Sequence, residues 1–568
     1  MENVIDVYFQ MVQTCINAGH LEKALEYAER SKSKRLVDLM ASNDLSQGGE
    51  ISPEVQDLLQ QYDDLQEQIY QQHHQKSSDN ERTITEVRSR SNQRASLNAY
   101  NENVAHLEFQ KQKIWEQLRQ LDPVLAGEIQ VSAPDIAAMQ KLIDKPTTAI
   151  LSFYNTADNT YIFVLRQNQI SLHTCCQQGI EILQRWIYES WLLPYLPREN
   201  ETKEQKEERL LKWYEQMNSI LAEVGERLQL DRLITEHLNG IQELILIPHL
   251  FLHLIPFAAI PISLPTLDRT LHATSLQTMD GTSPQTLDAT SLGDKFLIRY
   301  APSCQILEFC HQRGEVETAT WQYGTVENAE DNLPFAGFEG EQISQLFNIP
   351  ETNRLRGKTQ ATRSNYQQLA NTVQLLHSCH HASSRLDKPL ESVLKLGDGN
   401  ITLGQLMSPG WRLPNLSDVF LSCCETGLGT PQITDDILTL ATGFLCAGAR
   451  SVINTLWSVD DLATALVSIF YYEERKLGKS RPQALWEAQM KLREMTKEEV
   501  KKLLPPVKQK RKEAQDNRNQ YSENSPEYQE WHRQYRQYSL IYNKIGEIQD
   551  ENPFSHPRYW AAFTAQGL

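Results

Sequence analysis

Two short, mostly apolar runs in the second half of the chain each end in side chains that can do chemistry. Residues 373–376 lead into a group of histidines that ends at His381, and residues 419–421 lead into a pair of cysteines that ends at Cys424. A short apolar run bounded by polar residues is typical of a buried strand. Gly427 then marks a turn. The pattern predicts two buried strands, one ending in histidine and one in cysteine.

Strand and helix patterns alternate along most of the chain from Thr148. Further strands are predicted at 149–154, 161–165, 244–262, 296–300, 451–456 and 556–563, and helices at 333–347, 437–448, 460–476 and from Ser480 onward. Strands that alternate with helices form a mostly parallel sheet with helices on its faces. The predicted fold class is therefore α/β, with a mostly parallel sheet flanked by helices.

The N-terminal quarter lacks strand patterns and is predicted to be all α. Residues 1–50 favour a helical hairpin with Gly19 at its turn, similar to half of a tetratricopeptide repeat of roughly 34 residues. A generic hairpin fits equally well, because a single copy is visible. Residues 51–140 place apolar side chains such as Leu65 and Ile69 on one helical face, which predicts long antiparallel helices resembling a coiled coil. A docking arm and a solvated hairpin without a partner both stay open.

The patterns divide the chain into consecutive segments. They are a helical hairpin at 1–50, long helices at 51–140, a first α/β segment at 145–262, a flexible low-complexity loop at 263–292, and a second α/β segment at 293–568 with a charged helical insertion at 496–550. A chain of 568 residues is too long for one hydrophobic core, so several units are expected.

Composition and charge narrow the functional classes. The net charge of −18 argues against a general nucleic-acid binder, so no nucleic-acid site is predicted. The N-terminus has no signal-peptide pattern, and prolines interrupt the most apolar window, 244–264, so no membrane span is predicted. The nine cysteines include no C-x-x-C pair, which argues against a disulfide framework or zinc site and indicates a reducing, cytoplasmic location.

The two strand ends can form a reactive site if they lie next to each other in the sheet. Functional groups of an open α/β sheet collect outside the carboxyl ends of its strands. A cysteine nucleophile needs a nearby histidine that takes its proton and later protonates the leaving amine. Free cysteine is, however, often inert buried packing. The residues alone leave both interpretations open.

Several motifs in order resemble the CHAT family of caspase-like cysteine peptidases, relatives of separase that often follow tetratricopeptide repeats. The matching stretches are 333–339, 377–382, 389–396, 421–427, 447–452, 456–461 and 556–563. The resemblance implies a caspase-like fold for the second α/β segment. The first segment looks like the inactive partner half seen in such proteins.

The resemblance also implies roles for individual residues. Cys424 matches the nucleophile, and Cys423 is expected on the opposite face because side chains alternate along a strand. His381 matches the base, with His380 as the competing assignment. The backbone amides of Ala382 and Cys424 would hold the oxyanion. Ala382 stands where the family usually has glycine, which matters if that position needs a positive φ.

Asp435 and Asp436 are candidates for a pocket that receives a basic residue before the scissile bond. Their other interpretation is a cap for the helix that follows. The chemistry implied by the resemblance needs no cofactor or metal.

The expected function is cleavage of a specific protein partner by a cytoplasmic cysteine endopeptidase, with an activating partner at the N-terminal helices. Family resemblance links such proteins to bacterial defence, with gasdermin-like pore formers or CRISPR-linked proteins as substrates. One alternative is a catalytically silent scaffold. The other is an acyltransferase or hydrolase that uses the same pair on a non-peptide substrate.

Overall fold

The computed structural model describes residues 2–33, 134–198, 201–263, 290–314, 321–429 and 437–568, with short stretches between 36 and 69 and between 106 and 117. The strands are β1 (Thr148–Asn155), β2 (Thr160–Arg166), β3 (Gln169–Cys175), β4 (Glu243–Ile247), β5 (Pro261–Ile262), β6 (Thr290–Ser291), β7 (Leu297–Tyr300), β8 (Tyr323–Glu327), β9 (Arg354–Arg356), β10 (Leu375–Cys379), β11 (Ala382–Ser383), β12 (Val393–Leu396), β13 (Gly399–Thr402), β14 (Asp418–Leu421), β15 (Ser451–Thr455) and β16 (Phe563–Gly567).

The longer α-helices are α1 (Glu2–Asn17), α2 (Leu21–Ser31), α3 (Ile136–Lys141), α4 (Lys203–Arg227), α5 (Leu230–His237), α6 (Cys304–Gln312), α7 (Pro334–Phe347), α8 (Arg363–Thr372), α9 (Leu440–Ala447), α10 (Asp461–Lys476), α11 (Arg481–Arg493), α12 (Lys497–Lys501), α13 (Leu504–Arg518) and α14 (Pro526–Gly546). Shorter helical segments are Ile180–Gln184, Arg185–Ile187, Tyr188–Leu192, Leu193–Tyr195, Leu250–Leu254, Phe257–Ala259, Leu292–Lys295, Glu351–Asn353, Gly357–Gln360, Pro389–Glu391, Leu403–Leu406, Pro409–Trp411 and Pro557–Trp560.

Eleven strands form one sheet in the order β3-β2-β1-β4-β7-β16-β15-β14-β10-β8-β9. The histidine strand β10 lies between β8 and the cysteine strand β14, and both pairings are parallel. Both strands are buried along their whole length, as expected for parallel strands covered on two faces. The predicted fold class is confirmed. The carboxyl ends of β10 and β14 therefore meet at one edge of the sheet.

The two predicted α/β segments share this sheet. Strand β4 of the first segment pairs in parallel with β7 of the second, with Leu244 opposite Ile298. The C-terminal strand β16 then lies between β7 and β15, parallel to β7 and antiparallel to β15. The end of the chain thus joins the first segment to the strands that carry histidine and cysteine.

The N-terminal hairpin of α1 and α2 packs on the first segment. Ala24, Leu25 and Ala28 are fully buried in a cluster that includes Tyr154 of β1 and Phe163 of β2. Small residues on this face of α2 let it approach the sheet closely. The resemblance to a tetratricopeptide repeat stays a prediction. Most of the predicted long helices at 51–140 lie outside the described residues, and the described stretches there are helical.

A buried ion pair fastens the same hairpin. Lys32 Nζ donates to Glu29 Oε1 at 2.9 Å and to Ser152 Oγ of β1 at 2.8 Å. Ser152 Oγ donates to Glu29 Oε1 at 2.6 Å, and the Cys304 amide donates to Glu29 Oε2 at 2.7 Å. Burial opposes the Glu29 charge, but these partners together hold its pKa below the ordinary value. The pair links α2 to β1 and to the start of α6.

Two predicted strands were wrong in extent. The strand at 244–262 ends at Ile247 and gives way to short helical turns, because Pro248 and Pro256 have no N–H for a strand ladder. The strand at 556–563 begins only at Phe563, because Pro557 opens a short helix there. The third strand of the first segment, β3, was not predicted.

Residues 264–289, most of the predicted low-complexity loop, lie outside the described residues, and β5 and β6 pair where that segment begins and ends. The charged segment 496–550 forms α12, α13 and α14. Of the helices in the described part of the chain, none combines the length and apolar character needed to cross a bilayer.

Candidate active site

Cys424 opens a tight turn that follows β14. The next residue, Glu425, has a positive φ of 61°, which costs a non-glycine residue on the order of 1–3 kcal/mol. The turn is anchored to the end of β15, where the Gly427 amide donates to Thr455 O at 2.8 Å. Gly427 is required because an added Cβ would lie 1.9 Å from Asn454 Nδ2. The backbone around Cys424 is therefore fixed by the neighbouring strand.

The two cysteines have different surroundings. Cys423 is 4% exposed, and its thiol donates to Ser378 O of β10 at 3.2 Å. Cys424 is partly exposed, and its Sγ accepts a hydrogen bond from Ser458 Oγ at 3.3 Å. The side chains separate as predicted, but the cause is the turn, since β14 ends at Leu421. Cys424 is the cysteine of this pair that reaches solvent.

The charge state of Cys424 is set by its neighbours. Burial raises the pKa of the Cys424 thiol, and the carboxylates of Glu425 and Asp461 raise it further. Hydrogen bonds from Ser458 Oγ and the Val459 amide oppose this shift without overcoming it. Cys424 therefore rests as a neutral thiol at neutral pH, so a base must take its proton before it can act as a nucleophile.

His381 lies just beyond the end of β10 and is partly buried. Its Nε2 is 3.0 Å from Asn332 Oδ1, and because that oxygen can only accept, Nε2 carries the proton. Burial and the charge of Lys395 lower the pKa of His381, against the opposing effect of Glu330. His381 is therefore neutral at rest and presents the lone pair of Nδ1.

His380 faces the core. It is 1% exposed, its ring meets Tyr366 edge-on at 6.0 Å, and its Nδ1 is 3.0 Å from His381 O. Burial lowers the pKa of His380 to about 4. His380 is therefore enclosed in the core, whereas His381 is only partly buried.

His377 also lies in the core, beneath the site. Its Nε2 is 3.1 Å from Glu339 Oε1 of α7, and its Nδ1 is 3.3 Å from Tyr472 OH of α10. These contacts hold β10 between the two helices. His377 is a packing residue of the strand and is fully buried.

A direct hydrogen bond joins the turn that carries Cys424 to the loop that follows β10. Ser384 Oγ donates to Glu425 O at 2.6 Å. Among the described residues, no hydrogen bond joins Cys424 to His381. Each of the two is instead oriented by its own polar neighbour.

Ala382 belongs to β11, which pairs antiparallel with β12. The Lys395 amide donates to His381 O at 2.9 Å, so by the alternation of such ladders the Ala382 amide points away from β12. Ala382 is not among the described residues with positive φ. Its methyl group therefore fits the backbone where the family usually has glycine.

The two predicted pocket residues are not among those that the structure describes, and two polar neighbours of the site were not predicted from the sequence. Asp435 and Asp436 lie outside the described residues. Asn332 and Ser458, the polar partners of the site, were not predicted, although both lie in or directly before quoted motifs. Their positions next to those motifs were the available signal.

Two groups of side chains in the described chain bring metal-ligating atoms within 4.8 Å of one another. In the group of Glu339, His377 and Cys379, the Cys379 thiol donates to two backbone carbonyls at 3.3 and 3.4 Å. In the group of His173, Glu236 and His237, His173 Nε2 is 3.2 Å from a backbone carbonyl and His237 Nδ1 is 3.1 Å from a serine hydroxyl. Cys379, His173 and His237 therefore already have partners within the protein.

Solved structures similar to this chain include peptidases. The Saccharomyces cerevisiae separase–securin complex matches with 12% identity and a TM-score of 0.32, over 72% of this chain and 25% of the other. Gingipain R, an Arg specific cysteine proteinase, matches with 10% identity and a TM-score of 0.28, over 54% and 71%. A complex of Porphyromonas gingivalis RgpB pro- and mature domains matches with 9% identity and a TM-score of 0.28, over 62% and 68%.

The chain spans about a quarter of the separase it matches. No curated protein matches it. The CHAT domain family matches residues 222–568, which is more than half of the chain and covers β4 through β16 with both strands of the site. The resemblance seen in the motifs is confirmed, and this chain belongs to the CHAT domain family.

Proposed function

We propose that this protein is a cysteine endopeptidase that cleaves a protein partner, with Cys424 as nucleophile and His381 as base. One observation carries the proposal. Two adjacent parallel strands end in a partly exposed cysteine and a partly buried histidine, each oriented by a polar neighbour. A nucleophile and a base at the carboxyl edge of one sheet are the minimum needed for acyl transfer.

The first step is proton transfer within a neutral pair. His381 Nδ1 takes the proton of the Cys424 thiol, since Nε2 is occupied by Asn332. The sulfur then bonds to the peptide carbonyl carbon, whose π electrons move to its oxygen. The Ser458 hydroxyl stabilises the thiolate while it exists.

The remaining steps use backbone amides and water. The amides of Cys424 and Ala382 are proposed to hold the oxyanion. The tetrahedral carbon then expels the amine, which takes the proton held by His381. Water attacks the thioester with His381 as base, and the acid product leaves as the Cys424 thiol is restored.

The charges around Cys424 suggest the substrate class. Glu425 and Asp461 lie near enough to raise the pKa of its thiol. A basic side chain before the scissile bond would pair with these carboxylates, a role first proposed for Asp435 and Asp436. A bacterial defence role, with gasdermin-like or CRISPR-linked partners and control through the N-terminal helices, rests on family resemblance.

The test is labelling with a peptide-based thiol electrophile that ends in arginine, followed by mass mapping of every cysteine. We expect Cys424 to react at least tenfold faster than the exposed Cys176, which serves as an internal reference for an ordinary thiol. His381→Ala should remove that advantage. The control His311→Ala changes an exposed histidine of α6 and should leave it intact. Equal labelling of Cys424 and Cys176, both in buffer and in cell extract, would reject the dyad.

A catalytically silent scaffold is the second candidate. It is favoured by the raised pKa of the Cys424 thiol and by the separate hydrogen bonds of Cys424 and His381. Repeating the labelling in cell extract separates the two functions. Selective labelling of Cys424 that appears only in extract indicates a latent peptidase, and its absence under both conditions supports the scaffold.

A further inference from the structure

The helical segment 180–195 of the first α/β segment ends beside the nucleophile. Tyr195 OH donates to Glu425 Oε1 at 2.5 Å and accepts from the Ser458 amide at 3.1 Å. These two partners flank Cys424, because Glu425 follows it in the chain and Ser458 Oγ donates to its sulfur. We propose that Tyr195 is a positioning residue for Cys424, supplied to the candidate active site by the first α/β segment.

Packing fixes the Tyr195 ring. Tyr195 is 6% exposed, and its ring lies 4.9 Å from that of Trp213 in α4. Trp213 in turn lies 5.7 Å from Trp457, the residue directly before Ser458. Arg209 of α4 also donates to the Tyr195 carbonyl. Aromatic contacts between the two segments therefore set where the hydroxyl stands.

The hydroxyl is suited to act as a donor. Burial and the nearby Glu425 raise the pKa of Tyr195 well above its ordinary value, so the phenol stays protonated. Its hydrogen bond places the Glu425 carboxylate and disperses part of its charge. Glu425 also holds a strained positive φ, so a contact on its side chain stabilises the turn that carries Cys424.

The same hydroxyl orients the hydrogen bond to sulfur. Ser458 is fixed at its amide by Tyr195 and at its carbonyl by Tyr214 OH at 3.3 Å. Its hydroxyl is then directed to Cys424. Loss of the Tyr195 hydroxyl weakens this donor and frees the Glu425 charge, and both changes disfavour the thiolate.

This inference deepens the proposed function, because it concerns the same nucleophile, and its test does not require peptidase activity. The variant is Tyr195→Phe, which removes one oxygen and keeps the packed ring. The matched control is Tyr300→Phe, because Tyr300 is also buried and its hydroxyl also accepts a backbone amide, that of Phe257, at 3.1 Å. The readout is the rate of Cys424 alkylation by iodoacetamide from pH 6 to pH 10, with Cys176 as the reference.

We expect Tyr195→Phe to slow Cys424 alkylation about tenfold at each pH from 6 to 9, which corresponds to a rise of about one unit in the pKa of the thiol. Adding Glu425→Gln should restore most of the rate, because the liberated charge is then absent. Tyr300→Phe should match wild type. Peptide cleavage is measured in parallel. If the wild type cleaves no peptide but Tyr195→Phe still slows alkylation of Cys424, the proposed function is rejected while the role of Tyr195 stands.

Two results would overturn the inference. One is a Tyr195→Phe variant whose alkylation profile overlays wild type. The other is equal slowing by Tyr300→Phe, which assigns the effect to the loss of any buried tyrosine hydroxyl. Thermal unfolding of each variant, measured alongside, confirms that the compared samples are folded.

Discussion

The buried pair of Lys32 and Glu29 gives a quantitative test of how the N-terminal hairpin is attached. The two side chains are 0% and 1% exposed and lie 2.9 Å apart. Lys32→Met removes the ammonium group and keeps most of the apolar stem, so Glu29 loses its countercharge. Breaking one side of a buried ion pair costs about 3–5 kcal/mol. Ser152 and Cys304 still donate to Glu29, so we expect the lower part of that range, about 3–4 kcal/mol.

The assay is urea unfolding followed by tryptophan fluorescence. The double variant Glu29→Gln/Lys32→Met should recover at least half of the loss, because the amide oxygen can accept from the Cys304 amide while the amide NH2 donates to the Ser152 hydroxyl. The control Lys212→Met breaks a pair whose side chains are 67% and 65% exposed. Exposed ion pairs contribute little to stability, so this variant should unfold at the same urea concentration as wild type.

Two outcomes would refute the reasoning. A Lys32→Met loss below about 1 kcal/mol would mean that the pair behaves as an exposed one. A double variant no more stable than Lys32→Met would mean that lost packing, and not the unpaired Glu29 charge, causes the loss.

Three further predictions follow from the site and the ion pair. Asn332→Ala frees His381 Nε2, so kcat should fall about tenfold with little change in KM, measured by steady-state peptide cleavage. Asp461→Asn removes a charge that raises the pKa of Cys424, so thiol alkylation at pH 8 should quicken while the preference for arginine over glutamine before the scissile bond falls. The pKa of Glu29 is lowered in the folded state, so the stability that its charge contributes is present above the unfolded pKa and is lost as pH falls through the folded pKa. In Glu29→Gln, the urea midpoint should therefore fall less steeply between pH 7 and pH 3 than it does in wild type.

The parts of the molecule that the sequence predicted are those set by local pattern. Apolar runs marked β10 and β14, and alternation with helices predicted that such strands lie in one parallel sheet. The places where this failed are those where proline interrupts an apolar run, as at Pro248 and Pro557. An apolar run by itself does not reveal whether its backbone can donate to a ladder.

The roles of the polar neighbours of the site could not be predicted from local sequence patterns, for a physical reason. Tyr195 meets Glu425 across 230 positions, and Asn332 meets His381 across 49. A polar side chain at such a distance leaves no periodic trace, since its role depends on how whole elements pack. The same holds for Lys32, whose partner Ser152 is 120 positions away. Motifs pointed to the proposed reacting groups, Cys424 and His381, while packing determined which side chains orient them.

The surroundings of Cys424 oppose the form of sulfur that reacts. Burial, Glu425 and Asp461 all raise the pKa of its thiol, and burial lowers the pKa of His381. An ion pair of thiolate and imidazolium is therefore disfavoured at rest, and the thiol reacts slowly with small electrophiles at a pH below its pKa. A basic substrate side chain beside the carboxylates would offset their charge and ease ionisation at the moment the carbonyl arrives. Under the proposed function, reactivity would depend on the bound substrate, and Glu425 and Asp461, which disfavour ionisation of the free thiol, would also bind the basic side chain of that substrate.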